Sequence, residues 1–170
     1  MNVCYFLINK EILKGDTYVA AKVGADTDLV AVVVDRDSKR IVPPTSENVR
    51  AADADLKGAG YSLAPLEEVY GVGKEKSGLM ILRLNAGDAI GSAVLLRRDA
   101  LNAAYSRLGR FYIILPSSVH EVLCISVDNG VNAQKLLAVV QNVNDECVSP
   151  AEQLSNHVYM YDGAEIRIAA

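Results

Sequence analysis

Apolar residues recur along this chain with two different periods, and the switch between them marks the elements. Val3–Ile8, Thr17–Val23 and Leu29–Asp35 are apolar runs rich in aromatic and β-branched residues and read as strands. Asp35-Arg36-Asp37-Ser38 reads as a turn after which Arg40–Val42 pairs back. Pro43-Pro44 then interrupts regular structure, because proline has no N–H for a ladder. Thr45 or Ser46 is placed to cap a helix over Glu47–Lys57 that stops at Gly58, with Val49, Ala52 and Leu56 on its apolar side. Pro65 and Gly58, Gly60, Gly71, Gly73 and Gly78 follow, and they put a subdomain boundary in Gly71–Gly78.

The second half is more regular. Leu79–Leu84 reads as a strand, Asn85–Gly91 as a turn and Ser92–Leu96 as its antiparallel partner. Leu101, Ala104, Tyr105 and Leu108 fall at i, i+3, i+4 and i+7, which predicts a helix over 99–108, capped by Asp99 and stopped by Gly109. Phe111–Leu115 and Glu121–Val127 are strands hinged on Pro116-Ser117-Ser118, and Asp128-Asn129-Gly130 is a turn. A second helix spans 133–144, and Pro150 opens a short helical turn. Asp162-Gly163 between His157–Tyr161 and Ala164–Ile168 predicts a type I′ hairpin. The order β-β-α-β-β-α-β-β predicts an α+β fold with an antiparallel or mixed sheet and helices mainly on one face. Residues 1–70 form a β-rich N-terminal subdomain and 79–170 an α+β domain, or the two are one continuous domain.

Composition narrows the function classes. With 51% hydrophobic and 22% charged residues, the 170-residue chain has material for a core and is no disordered tail. A formal net charge of −4 argues against extended contact with nucleic acid, where neutralised phosphates supply much of the affinity. No apolar run approaches the roughly 20 residues of a membrane span. The N-terminus lacks a basic segment and reads as a strand, not a signal peptide, so the expected location is the cytoplasm. Cys4, Cys124 and Cys147 show no CxxC spacing, which fits a reduced compartment.

From Gly91 onward the chain resembles an uncharacterised family of clostridial proteins known as a domain of unknown function. The resemblance is carried by AVLL at 93–96, FYIILPSSVHEVL at 111–123, NVN at 142–144, SPAEQLS at 149–155 and HVYMYD at 157–162. The Arg97-Arg98-Asp99 segment departs from that pattern, and Met1–Gly78 does not reproduce the family's extended N-terminal region. The resemblance implies a shared bacterial fold and supplies no activity, cofactor or catalytic residue.

Ser117, Ser118, His120 and Glu121 are the polar cluster worth testing as a binding site. In an extended strand Ser118 and His120 share one face and Glu121 takes the other, so the carboxylate cannot orient His120 behind a serine nucleophile. The G-x-S-x-G elbow is absent as well. His157 joins the candidates if the fold brings it to His120, and neither histidine shows local metal-ligand spacing. Arg107 and Arg110 suit a helix C-terminus, whereas Arg97 and Arg98 sit at the unfavourable end and could meet phosphate or an acidic partner. Gly71-Val-Gly73-Lys74 fails as a phosphate loop, having Glu68 and Glu75 where glycine and Ser or Thr belong. No catalytic set, metal site or cofactor motif is complete. The sequence therefore points to a non-catalytic domain that engages an unknown protein partner, or a second copy of itself, through a sheet edge or the 116–121 loop. A small-ligand binder or hydrolase-like enzyme centred on His120 and Glu121 is the alternative. Nucleic-acid contact through Arg97, Arg98, Arg107 and Arg110 is the weaker one.

Overall fold

A computed structural model of the chain describes residues 2–71, 78–85, 90–109, 111–130, 132–146, 148–149 and 152–170. Strands β1 (Val3–Asn9), β2 (Ala21–Lys22), β3 (Leu29–Asp35) and β4 (Ile41–Val42) form one sheet in which β3 is central. The second sheet contains β5 (Tyr61–Pro65), β6 (Met80–Leu84), β7 (Tyr112–Ser118), β8 (Glu121–Ser126), β9 (Tyr159–Tyr161) and β10 (Ile166–Ile168). Its order is β10-β9-β7-β8-β6-β5. Every pairing among the described residues is antiparallel. The helices are α1 (Ser46–Gly58), α2 (Leu66–Tyr70), α3 (Arg98–Leu108) and α4 (Ala133–Glu146), so the fold is α+β. None of the described helices is long and apolar enough to cross a membrane.

Local chemistry accounts for most of these boundaries. The Thr45 hydroxyl accepts the Asn48 N–H and starts α1, whose Val49, Ala52 and Leu56 all reach the core. Gly109 ends α3 at φ 85°, a left-handed conformation that glycine adopts without strain. The start of α3 differs from the sequence expectation. Arg97 occupies the cap position without a side-chain cap, and Asp99 lies in the first turn, ion-paired to Arg97 at 2.7 Å.

Residues 91–96 form a 3-10 helix, not a strand. Both sides of β6 are already taken, by β5 and β8, so no edge is left for an apolar segment at 92–96 to pair with. It is buried as a plug instead: Gly91–Leu95 are all buried, and the segment packs on β1 from one sheet and on β6 and β8 from the other. The helices also do not share a face. Ala100, Leu101 and Ala104 of α3 pack with Tyr112 and Ile114, while Val140 of α4 packs with their neighbours Ile113 and Leu115, which alternation turns to the opposite side. Only Ala21–Lys22 of the 17–23 run pairs in a sheet. At the last hairpin only Gly163 has positive φ, so the type I′ expectation is corrected: the Asp162 carboxylate accepts the N–H groups of Ala164 and Glu165 and closes the turn. The expected turn at 86–89, the boundary residues 72–77 and the helical turn at Pro150 lie outside the described residues, as do Arg110 and Cys147.

One core joins both sheets, with Tyr5, Leu7 and Val33 beside Leu82, Tyr112, Ile114 and Tyr159. Within it lies a buried carboxylate, Asp28. It accepts hydrogen bonds from Asn9 Nδ2 at 2.8 Å, from Ser155 Oγ at 2.7 Å and from the Tyr159 hydroxyl. A buried charge is tolerable only when its lone pairs are filled, and three neutral donors do that here. The cluster fastens β1 and the start of β3 to the chain's last strands.

Two stability measurements check this packing. A Cβ on Gly91 would stand 1.8 Å from the His120 carbonyl oxygen, so Gly91→Ala should lose about 3 kcal/mol in denaturant unfolding. Tyr159→Phe leaves the Asp28 carboxylate one donor short and should cost about 1–2 kcal/mol, with the fold retained by circular dichroism.

Candidate functional site

The turn between β7 and β8 is built by backbone contacts. Register slips by a bulge between Leu115 and Ser118, after which Ser118 pairs directly with Glu121. Ser118 Oγ accepts the His120 N–H at 3.2 Å, the Ser92 N–H donates to the Val119 carbonyl, and the Val119 N–H donates to the Glu152 carbonyl. Val119 and Glu121 are buried, and His120 is exposed. The side chain of Ser117 lies outside the described residues.

The polar side chains of this turn go to different places. His120 Nε2 lies 3.1 Å from Glu152 Oε1, with both side chains half exposed. Glu121 Oε1 accepts the Tyr70 hydroxyl, delivered by α2, and Oε2 has no hydrogen-bond partner among the described residues. Burial, with the hydrogen bond to Glu121, pushes the Tyr70 hydroxyl up to about 12, while nearby Arg83 acts in the opposite direction. Thus Glu121 does not orient His120, and Ser118 meets only the backbone of His120. Among the described side chains of this turn, no serine–histidine–carboxylate relay is assembled.

His157 is engaged apart from this turn. Its N–H donates to Ser155 Oγ, and its Nδ1 lies 3.3 Å from the Ala170 carbonyl oxygen. Among the described residues no three His, Cys, Asp or Glu side chains cluster to hold a metal ion. Cys4 and Cys124 are buried, and burial pushes the Cys124 thiol far above its ordinary range. Arg97, unexplained by the helix dipole, is structural: Nη1 donates to the carbonyls of Leu56 and Ala59 at the end of α1, and the guanidinium lies 5.8 Å from the Tyr61 ring centroid. Arg107 is in the last turn of α3.

Arg98 stands elsewhere, on the rim of a cleft of about 340 Å³. Five parts of the fold wall it: β1 with Tyr5, β2 with Lys22, α1 with Asp53, the 91–101 segment with Arg98, and the β9–β10 hairpin with Tyr161 and Glu165. The floor is apolar, from Leu56, Leu95 and Leu101 among others. Tyr5 donates to Asp53 Oδ1 at 2.6 Å, and burial and that hydrogen bond hold its hydroxyl well above the tyrosine range. Tyr161 donates to Asn102 Oδ1 at 2.6 Å; burial raises its hydroxyl, and the Arg98 charge pulls it down. Glu165 is taken by Arg167 at 2.8 Å. Lys22 and Arg98 have no hydrogen-bond or ion-pair partner among the described residues.

Sequence reasoning flagged Arg98 but missed Lys22, Tyr5 and Asp53. Tyr5 and Asp53 are 48 positions apart, and only the packing of α1 on β1 joins them. Glu152 was within reach as a signal, since it lies in the SPAEQLS segment that carries the family resemblance.

Residues 38–163 match DUF5688, a family of unknown function, and the chain belongs to that family. The match begins well before Gly91 and takes in α1, β5 and β6, a stretch that the sequence reading left outside the resemblance. No curated protein and no solved structure matches the chain.

Two substitutions check the turn. His120→Ala should leave stability within about 0.5 kcal/mol, because its one ion pair is solvent-exposed. The Tyr70 phenol, raised from 10.0 to about 12 in the folded state, contributes stability that is present below pH 10 and is lost as pH rises towards 12. An alkaline difference titration of the native chain against Tyr70→Phe should isolate one phenol ionising near 12; ionisation near 10 would remove the Glu121 bond from the account.

Proposed function

We propose that this member of the DUF5688 family is a non-catalytic binding domain whose ligand occupies the cleft between β2, α1, the start of α3 and the β9–β10 hairpin. The observation that carries the reading is convergence. Polar groups from five parts of the fold meet beside leucine side chains, in a concavity within the roughly 300–1,000 Å³ usual for small-molecule sites. Two of those groups, Lys22 and Arg98, have no protein partner to satisfy them among the described residues.

The other readings draw less support. Around His120, the serine, imidazole and carboxylate each serve a different neighbour, which favours architecture over hydrolysis. For a protein partner or a second copy docking on a sheet edge, β10 is poorly suited: it is three residues long, Arg167 on it is ion-paired, and the backbone of Gly24 abuts the Ile166 carbonyl. At the other edge β5 ends in Pro65. Nucleic-acid contact loses Arg97 to the carbonyls of α1. We take the chain as one continuous unit, since β5 pairs with β6 across residues 72–77 and a common core spans both sheets. A cytoplasmic setting is proposed on its three cysteines without CxxC spacing.

Amide chemical-shift mapping against a library of small metabolites tests the cleft. Perturbations should gather at Lys22, Asp53, Arg98 and Tyr161. Hits that gather instead at His120, Glu121 and Glu152 would move the function to the β7–β8 turn.

A further inference from the structure

We infer that the cleft selects a small organic oxyanion, a carboxylate or phosphate group carried on an apolar body. The inference rests on the cleft reading above and names the class of its ligand. The chain as a whole is acidic, with 21 Asp and Glu against 17 Lys and Arg, so its average surface repels anions. The cleft departs from that average in its open valences. Each of its carboxylates has a partner on one oxygen, Asp53 Oδ1 from the Tyr5 hydroxyl and Glu165 Oε1 from Arg167. Both of its cations are open: Lys22 on β2 and Arg98 at the start of α3 line the same concavity from different elements.

The two cations are of kinds that recognise a planar or tetrahedral acid group. A guanidinium is a rigid fork that grips two oxygens side by side, and an ammonium adds a mobile point charge. The Tyr161 hydroxyl donates to Asn102, and the charge of the exposed Arg98 acts on that hydroxyl from the same cleft. Leu56, Leu95 and Leu101 line the same cleft, which suits a ligand whose body is hydrocarbon or an aromatic ring. A concavity of about 340 Å³ admits a molecule of metabolite size and no folded domain.

The test uses the full chain and four probes that share one ring: phenylacetate, phenyl phosphate, phenylacetamide and phenethylamine, titrated by calorimetry. The expected result is saturable binding of one or both anions, falling as salt is raised, with no binding of the neutral or cationic probe. Arg98→Ala and Lys22→Ala should each weaken that binding by about tenfold or more. Arg107→Ala, at the other end of the same helix, should leave it unchanged. Thermal unfolding of the unliganded variants should match the native chain, since both side chains are exposed. The preferred anion identifies the source of the acid group, carboxylate or phosphate ester. Equal binding of phenylacetamide, mapped to the cleft, would overturn the oxyanion inference and leave the cleft standing. Anion binding that survives the double substitution Arg98→Ala, Lys22→Ala would place the anion elsewhere and overturn the inference. Binding of none of the four would count against the cleft and the oxyanion together.

Discussion

The backbone of Gly91 lies against the carbonyl of His120 so closely that no side chain fits between them. That approach lets the 3-10 helix at 91–96 sink between the two sheets, where Val94 and Leu95 touch the common core. The β7–β8 turn is clamped as a result, with Ser92 on one side of Val119 and Glu152 on the other. A turn fixed by its own backbone is a poor place to look for a reacting group. Its one histidine faces solvent, and its glutamate is turned towards α2. The segment that stands out most in the sequence is thus one held closely by its neighbours.

Periodicity revealed the elements whose burial is one-sided. The 3.6-residue stripe of α3 and the apolar face of α1 were legible because each has one dry face, and the runs of β1 and β3 because they are apolar on both faces. Where burial is set by topology, the pattern misleads. AVLL at 93–96 has the composition of a strand, yet β6 has no free edge to receive it, and only the strand order reveals that. β5 failed in the opposite way: Tyr61–Pro65 is short, half-buried and flanked by glycine and proline, so it looked like a connection. Its placement comes from pairing with β6.

The cleft was illegible for a related reason. Lys22, Asp53, Arg98 and Tyr161 have no spacing in common, and each has an ordinary role when read alone. Only Arg98 was conspicuous, as a cation at the wrong end of a helix. Its neighbour Arg97 had the same anomaly and a purely structural answer, so the anomaly by itself could not separate the two. What separates them is the direction taken by each side chain: Arg97 back to α1, Arg98 to the hairpin.

The Asp28 cluster straddles the limits of the family. Asn9 and Asp28 precede residue 38, whereas Ser155 and Tyr159 lie inside the matched stretch. Together with Leu7 and Val33, the opening sheet covers side chains of the matched part that water would otherwise wet. Trimming the polypeptide to 38–163 would strip a hydroxyl pair of its acceptor and uncover an oily flank. In this protein the family segment thus shares its dry interior with the residues that come before it.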